Sequence, residues 1–386
     1  MNSKQRVRAA IEGEPVDRIP LGFYAVDCDT IERVIGRKTF VRDKIGSQIA
    51  FWQGRRDEVV ESYKHDTVEF YRKIDSADLI CFKEAPVVPP KRYRPDHPPK
   101  QVDDDTWEDR EGRIYKVSHL SNELVCVHDP HQSDTEDFTE DMFPEYDESE
   151  YRPPDPSIFE ACDHIIEQLG TDRYITGIAN TGGVFTLLGG QVTGLMAMAL
   201  KPEVVLAASR RYTKQANLSD ADYIRPGQDG ALWDQDTGST RGPLISPQQY
   251  RDLCLPFLKE RIASIERRGQ QILMHNCGDN RALMDMFIEA GVQCYESLQT
   301  NAGMDLDELT ARFGRDMTFW GGVPVELLVG GEPDDVRRAV RDAMEKGVRG
   351  RGFILGPSHS IAYGTKYDNF MAMLDEHHKL APRLTP

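Results

Sequence analysis

The sequence lacks any hydrophobic run close to the roughly 20 residues that a membrane-spanning helix needs. Its best candidate covers only residues 195–200. The N-terminal segment, MNSKQR, also lacks the apolar core of a secretory signal peptide. Basic residues are in deficit, with 47 Lys and Arg against 64 Asp and Glu and a formal net charge of −17. Because such a field repels nucleic acid and anionic membrane surfaces, we expect neither as a partner.

Cysteine is scarce, and its spacing shows no pairs. The seven cysteines are scattered at positions 28, 81, 126, 162, 254, 277 and 294. An odd number without paired spacing is atypical of a disulfide framework and favours a reducing, cytoplasmic location. The sequence also lacks a P-loop, a dinucleotide-binding glycine pattern after a strand and a Gly-x-Ser-x-Gly elbow. These absences argue against the enzyme classes that use those motifs.

The sequence does contain enough apolar residues for a large core. The residue types AVILMFWYC make up 39% of the chain, and 31 glycines bring the total near the value of ordinary globular proteins. Eight short apolar segments alternate with helical patterns, which predicts a (β/α)8 barrel, with a doubly wound sheet as the alternative. The predicted strands cover residues 20–26, 78–82, 174–179, 231–233, 271–275, 292–298, 317–320 and 352–355.

One segment, residues 85–155, interrupts this alternation. It begins with several prolines and contains two predicted strands, at 114–117 and 123–127. Residues 129–150 hold ten Asp or Glu and no Lys or Arg. We predict a single barrel domain over 1–386, with an acidic, partly β insertion after strand two, on the face where barrels carry their active sites. The acidic stretch is either a solvated surface loop or a lid or docking surface.

Candidate metal ligands follow the fifth and eighth predicted strands. His275 and Cys277 are two residues apart, so in extended backbone both side chains point to the same side. An imidazole nitrogen and a thiolate are good ligands for Zn(II), and His359 follows the eighth strand across the barrel mouth. Three protein ligands leave a fourth position open, as in catalytic zinc sites. The alternatives are a chance His-x-Cys tripeptide and a hydrogen-bonded loop histidine at position 359.

Acidic residues accompany several other strand ends. Glu296 lies within the sixth strand, where a buried carboxylate is unfavourable unless it is paired. It could be a fourth metal ligand, an acceptor for a ligand histidine, a general base or half of a structural salt bridge. Asp234 and Asp236 follow the fourth strand and share one face, so they could orient a substrate or a ligand histidine, or cap the following loop. We take these three carboxylates as the catalytic candidates. With Asp27 after strand one, they predict an acidic mouth that suits a cation.

Other residues at strand ends are candidates for contacts with a substrate. They are Tyr24, Asp27, Trp233 and Gln299. A further histidine pair, His377 and His378, falls in the last predicted helix, and we expect it on the surface.

Several longer stretches of the sequence resemble one enzyme superfamily. They read LMHNCGDNRALMDMFIEAGVQCYESLQ, FWGGV and GFILGPSHSI, preceded by RVRAAIEGEPVDRIPLGFY and DTGSTRGPLISPQQY. This set is similar to the uroporphyrinogen decarboxylase superfamily, and most of all to its branch of zinc- and corrinoid-dependent methyltransferases. The resemblance covers most of the chain apart from the acidic insertion, and it implies a (β/α)8 barrel.

The resemblance also implies a set of zinc ligands. Methyltransferases of this branch carry a His-x-Cys and a later Cys on zinc. His275 and Cys277 match that pattern, whereas Ser358 and His359 stand where the family has Gly-Cys. One thiolate fewer makes the bound ion a stronger Lewis acid, which disfavours coenzyme M or homocysteine as the methyl acceptor. The resemblance thus implies transfer of a methyl group from a small methoxy or methylamine-like substrate to a corrinoid protein, by a monomer or a homo-oligomer.

Two other functions stay open at this point. A cofactor-free decarboxylase acting on a carboxylated substrate is the alternative within the superfamily, although PLGFYAVDCD lacks the arginines that bind tetrapyrrole carboxylates there. A non-enzymatic corrinoid-binding or assembly partner, docked through the acidic insertion, is the third. Metal content separates the first two functions. Loss of turnover with retained partner binding after mutation of Cys277 separates the third.

Overall fold

The computed structural model describes residues 1–83, 87–131 and 137–384. Its strands in chain order are β1 (Gly22–Phe23), β2 (Leu79–Cys81), β3 (Lys100–Asp103), β4 (Thr106–Glu108), β5 (Ile114–Ser118), β6 (Glu123–His128), β7 (Tyr174–Ile178), β8 (Gly230–Asp234), β9 (Gly238–Ser239), β10 (Gly242–Pro243), β11 (Gln271–His275), β12 (Cys294–Glu296), β13 (Thr318–Val323) and β14 (Phe353–Pro357). Eight of them form one parallel sheet in the order β1-β2-β7-β8-β11-β12-β13-β14. Each falls on one of the eight predicted segments, so the predicted barrel is confirmed.

The sheet closes on itself between its first and last strands. Leu21 and Leu355 form a parallel bridge beside β1 and β14, and Val26 and Ile361 form another beyond them. A doubly wound sheet stays open, so that alternative is wrong. Closure also brings the loop after β14 next to the residues that follow β1.

Helices surround the barrel, as the alternating pattern predicts. They are α1 (Ser3–Glu12), α2 (Cys28–Ile35), α3 (Lys44–Trp52), α4 (Arg56–Lys73), α5 (Glu160–Leu169), α6 (Gln191–Leu200), α7 (Pro202–Tyr223), α8 (Pro247–Leu253), α9 (Leu255–Glu266), α10 (Met284–Ala290), α11 (Leu306–Phe313), α12 (Val325–Gly330), α13 (Pro333–Gly347) and α14 (Tyr367–Leu380). Among the described residues, no single helix has the length and apolarity to cross a membrane, and only α6 with α7, bent by 116°, meets those criteria as a pair.

The core has two layers because successive strand residues point to opposite faces. The inner layer fills the barrel, and α1 closes its lower end with Val7, Ala10 and Ile11. The outer layer lies between the sheet and the helices. The inner strand residues are Leu79, Cys81, Tyr174, Leu232, Leu273, Cys294, Trp320 and Ile354.

The insertion after β2 contains an antiparallel sheet of four strands, β3 to β6. The sequence predicts only two of these strands, because β3 and β4 are short and mainly polar. Trp52 of α3 packs against the sheet, with ring centroids 6.3 Å from Trp107 and 5.6 Å from Tyr115. The small sheet is thereby attached to the barrel. Residues 84–86 of the segment lie outside the described residues.

The acidic stretch of the insertion lies along α7. Residues 137–150 include 3₁₀ turns at Glu140–Met142 and Glu148–Glu150. Arg211 of α7 donates to the backbone oxygen of Pro144 and to the Glu150 carboxylate. Basic side chains therefore tie part of this stretch to the barrel. Residues 132–136 of the predicted acidic segment lie outside the described residues.

The last helix corrects one prediction. His378 is exposed, as expected. His377, in contrast, is 1% exposed, and its Nε2 donates to the backbone oxygen of Ile19 at 2.9 Å. The sequence-based expectation was wrong because α14 packs across the start of β1, and that contact is not visible in the local pattern.

Candidate metal centre

The ends of β11 and β14 bring the three predicted metal ligands together. His275 is the last residue of β11, Cys277 lies just beyond it, and His359 follows β14. A ligand atom from each lies within 4.8 Å of those of the other two. The Sγ atom of Cys277 is 3.2 Å from Nε2 of His275. The rings of His275 and His359 meet edge to face, with centroids 5.1 Å apart.

Glu296 fixes the orientation of His275 from the neighbouring strand. The parallel register sets the two residues opposite each other, and the Glu296 carboxylate accepts a hydrogen bond from Nδ1 of His275. Burial alone would lower the pKa of His275, but the charges of Glu296 and Cys277 outweigh it and raise that pKa well above its usual range. Since Nδ1 carries a proton toward Glu296, Nε2 is the nitrogen left to face Cys277 and a metal.

Two residues after β12 contact the end of β11. Ser297 is buried, and its Oγ lies 3.2 Å from Sγ of Cys277. Oε1 of Gln299, a predicted substrate contact, accepts the backbone N–H of Gly278 at 2.7 Å. Sequence reasoning missed Ser297, because its backbone has a φ of +80°, and nothing in a Glu-Ser-Leu tripeptide indicates that conformation.

The loop after β8 holds the backbone around Cys277. Oδ1 of Asp236 accepts the backbone N–H of Cys277 at 2.7 Å. Oδ1 of Asn276 accepts the backbone N–H of Thr237 at 2.9 Å. The two loops are thus joined in both directions. Asp236, a predicted catalytic residue, therefore contacts the backbone of the candidate ligand Cys277, and the rest of its side chain is exposed.

Tyr24 and Asp234 lie beside His275 on the other side. The Tyr24 ring stacks on the His275 ring with centroids 3.8 Å apart and planes 9° from parallel. Its hydroxyl donates to Asp234 at 3.1 Å. Burial and then the Asp234 charge raise the pKa of Tyr24, so the phenol keeps its proton. Lys83, which sequence analysis missed, forms an ion pair with Asp234 and lies over the Tyr24 ring. Its position directly after a strand was the available signal.

The acidic barrel mouth expected from the sequence is largely neutralised. Asp27 forms an ion pair with Arg42 and accepts the backbone N–H of Tyr363 at 2.9 Å. Asp27 therefore anchors the loop after β14. Trp233 is 1% exposed and belongs to the outer core layer, so the structure does not bring it to the other site residues. Trp233 directly precedes Asp234 on β8, so the two side chains point to opposite faces of the sheet.

His359 is less prepared for a metal than the other two ligands. Its Nδ1 accepts the backbone N–H of Ser360 at 2.7 Å, so the neutral ring carries its proton on Nε2. Burial and then the nearby His275 lower the pKa of His359, which favours that neutral ring. Ligation through either nitrogen ends the hydrogen bond from the backbone N–H of Ser360, because the ligating nitrogen must be unprotonated and the other must carry the proton.

The residues fit a zinc ion by chemistry and by spacing. Two imidazoles and one thiolate are ligands that Zn(II) prefers, and in a tetrahedral site they lie about 3.5 Å apart. The observed limit of 4.8 Å therefore requires only a small closure. Oε1 of Glu296 is buried and has no hydrogen-bond partner among the described residues. It remains as an acceptor for a group bound at this point.

Comparison with solved structures shows a fold shared with one methyltransferase and weaker similarity to two other enzymes. A methyltransferase from Methanosarcina mazei has a TM-score of 0.64 and 15% identity, over 98% of this chain and 99% of its own. A GH18 chitinase from Flavobacterium johnsoniae has a TM-score of 0.34 and 13% identity, over 62% of this chain and 85% of its own. A 3-keto-D-glucoside 4-epimerase from E. coli has a TM-score of 0.32 and 11% identity, over 56% of this chain and 84% of its own.

The sequence itself was compared with curated proteins and with protein families. The search of curated proteins gives no match. Residues 131–380 match the family described as uroporphyrinogen decarboxylase (URO-D), which covers more than half of the chain. With the closed barrel, this match confirms the superfamily that the sequence motifs indicate: the chain belongs to the uroporphyrinogen decarboxylase family of enzymes.

Proposed function

We propose that the protein is a zinc-dependent methyltransferase that moves a methyl group from a small methoxy or methylamine-like substrate to a corrinoid carried by a partner protein. The observation that carries this proposal is the convergence of His275, Cys277 and His359 within 4.8 Å at the barrel mouth. A decarboxylase that needs no cofactor has no use for such a set of donors. The sequence motifs and the fold shared with the methyltransferase from Methanosarcina mazei support the same activity.

The zinc ion would be held by Nε2 of His275, Sγ of Cys277 and one ring nitrogen of His359. When bound, it supplies a Lewis acid that polarises the oxygen or nitrogen carrying the methyl group. Glu296 keeps the Nδ1 proton of His275 and so directs Nε2 to the metal. Tyr24 stacks on the ring and prevents it from turning. These residues hold the ligands in place before a substrate arrives.

The substrate would be bound beside Lys83. A cavity of about 410 Å³ adjoins this residue, a size within the range of small-molecule sites. Phe82, Val87 and Phe159 give it apolar walls. Lys83 lines this cavity, and its ammonium group forms an ion pair with Asp234, whose neighbour in the sheet is His275. A small donor with both apolar and polar groups fits this lining, which also includes Asn180, Arg225 and Gln228.

Metal analysis is the first test. We expect about one zinc per chain in the wild type and loss of it in a Cys277→Ala/His359→Ala double variant. A matched control is the Cys126→Ala/His378→Ala double variant, which removes the same residue types at exposed positions and should keep its zinc. A wild type that takes up no zinc, even after incubation with Zn(II), would overturn the proposal.

Methyl transfer is the second test, with free cob(I)alamin standing in for the corrinoid protein. Zinc-loaded enzyme should form methylcobalamin from at least one methoxy or methylamine donor, and the Cys277→Ala/His359→Ala variant should not. Release of CO2 from a carboxylated substrate at the same rate with and without zinc would instead establish the decarboxylase.

A further inference from the structure

The end of β12 departs from the alternation of a normal strand. Neighbouring residues of an extended strand point to opposite faces, so Ser297 should point away from the side that Glu296 occupies. The φ of +80° at Ser297 breaks this rule. As a result, Glu296 reaches His275 while Ser297 reaches Cys277. Two consecutive residues thus contact the two ligands of the His-x-Cys pair.

This conformation is unfavourable for serine. A residue with a Cβ atom is disfavoured in the left-handed region, whereas glycine adopts it freely. The side chain of Ser297 is also fully buried. Strain of this kind persists where the surrounding structure holds it and where the side chain has a use. At Ser297 the strained backbone brings the hydroxyl into contact with Sγ of Cys277.

The hydrogen bond between Ser297 and Cys277 can have only one donor when a metal is bound to the sulfur. A metal-bound cysteine is a thiolate and can only accept hydrogen bonds, so the Ser297 hydroxyl is the donor. The distance of 3.2 Å between Oγ and Sγ is suitable for such a bond. His275, the other neighbour of the sulfur, is then itself a ligand. Among the described residues, Ser297 supplies the hydroxyl that lies within hydrogen-bond distance of this sulfur.

We propose that Ser297 is a positioning residue that donates a hydrogen bond to the Cys277 thiolate and thereby sets the affinity of the site for zinc. The inference rests on the proposed zinc site and deepens it. Partners of metal ligands typically change metal affinity by about 10–100-fold when they are removed. The hydroxyl of Ser297 fixes the direction of the sulfur before the metal binds and offsets part of its charge afterwards.

The test compares Ser297→Ala and Ser297→Gly with the wild type. Both variants remove the hydroxyl, and glycine also relieves the backbone strain, so the glycine variant should fold even if alanine reduces stability. Zinc affinity, measured by competition with a chelator, should fall about 10-fold or more in both. A suitable control is Ser209→Ala, which removes a buried hydroxyl on α7 that lies 2.9 Å from the hydroxyl of Thr186 and should retain wild-type affinity.

Cobalt substitution supplies a readout that a purely structural role would not move. Loss of a hydrogen bond to the thiolate raises the energy of the sulfur lone pairs. The thiolate-to-cobalt charge-transfer band should therefore move to longer wavelength in both Ser297 variants and stay in place in Ser209→Ala. If the wild type binds zinc and the Ser297 variants keep its affinity and its cobalt band, this inference is wrong and the zinc site stands. A wild type without zinc or cobalt overturns both.

Discussion

His275 and Glu296 occupy facing positions in adjacent parallel strands, and the carboxylate of Glu296 accepts the Nδ1 proton of His275. The two side chains are 2% and 1% exposed, so water competes little for this bond. The pair sets which nitrogen of His275 faces Cys277.

Glu296→Gln should weaken zinc binding by about 10–100-fold, because an amide is a poorer acceptor than a carboxylate and no longer raises the basicity of the imidazole. Competition titration with a chelator measures the affinity. The control is Asp234→Asn, which removes the same charge from β8, on the other side of β11. Asp234 contacts Tyr24 and Lys83 rather than the imidazole of His275. Equal losses in the two variants would indicate general electrostatics and contradict a specific role for Glu296.

Gly278→Ala should lower the free energy of unfolding by about 3 kcal/mol. Gly278 has a φ of +86°, and a Cβ atom there would lie 2.7 Å from backbone atoms of Gly238 and Ser239. Gly364 has the same φ of +86° and open space around its Cβ position. Gly364→Ala should therefore lose only about 1 kcal/mol, the strain alone. Urea denaturation measures both, and similar losses would mean that the close contact has no effect.

Stability should depend on pH through His377. Burial lowers the pKa of His377 from 6.5 to about 4. As the pH falls below 6.5, the unfolded chain takes up this proton while the folded chain does not, so the free energy of unfolding decreases until about pH 4. The total decrease in the free energy of unfolding from this proton is roughly 3 kcal/mol.

The comparison that isolates this effect uses His377→Gln, whose amide can still donate to Ile19. The stability difference between pH 7 and pH 4.5 should be smaller in this variant than in the wild type. His378→Gln, at the exposed neighbour, should behave as the wild type. The prediction is refuted if both variants lose stability with pH in parallel with the wild type.

Asp27→Ala should destabilise the loop that carries His359. The substitution removes the acceptor for the backbone N–H of Tyr363 and leaves Arg42, which is 17% exposed, without this carboxylate. We expect a loss of about 2 kcal/mol in unfolding free energy and weaker zinc binding. Asp29→Ala removes an acceptor for the exposed N–H of Gly364 and should have the smaller effect on both quantities. Unchanged zinc affinity in Asp27→Ala would show that His359 does not depend on this anchor.

The barrel and the convergence of the three candidate metal ligands could be predicted from the sequence because their signals are local. Apolar runs mark the strands, and the spacing of His275 and Cys277 places both on one side of a strand end. The buried position of Trp233 could also have been predicted, since consecutive strand residues point to opposite faces and Asp234 points to the barrel mouth. The alternation of side chains along a single strand therefore distinguishes residues of the barrel mouth from residues of the outer core layer.

The remaining features of the site depend on contacts between distant segments. Lys83 neutralises Asp234, which lies far along the chain. Arg42 likewise neutralises Asp27 from another element. The buried environment of His377 comes from the start of β1. Such pairings are set by tertiary packing, so the sequence around each acid indicated an acidic mouth, whereas in the folded chain Lys83 and Arg42 neutralise much of that charge.

The closure of the barrel also has a consequence for synthesis of the protein. His359 is contributed by the loop after the last strand, and that loop is fastened to residues that follow the first strand. During translation, β1 must wait for almost the entire chain before its final neighbour emerges. The His-x-Cys pair is made much earlier. A ribosome-bound or truncated chain would therefore present only His275 and Cys277 of the three proposed ligands, and full zinc retention would report that the C-terminal strand has been inserted.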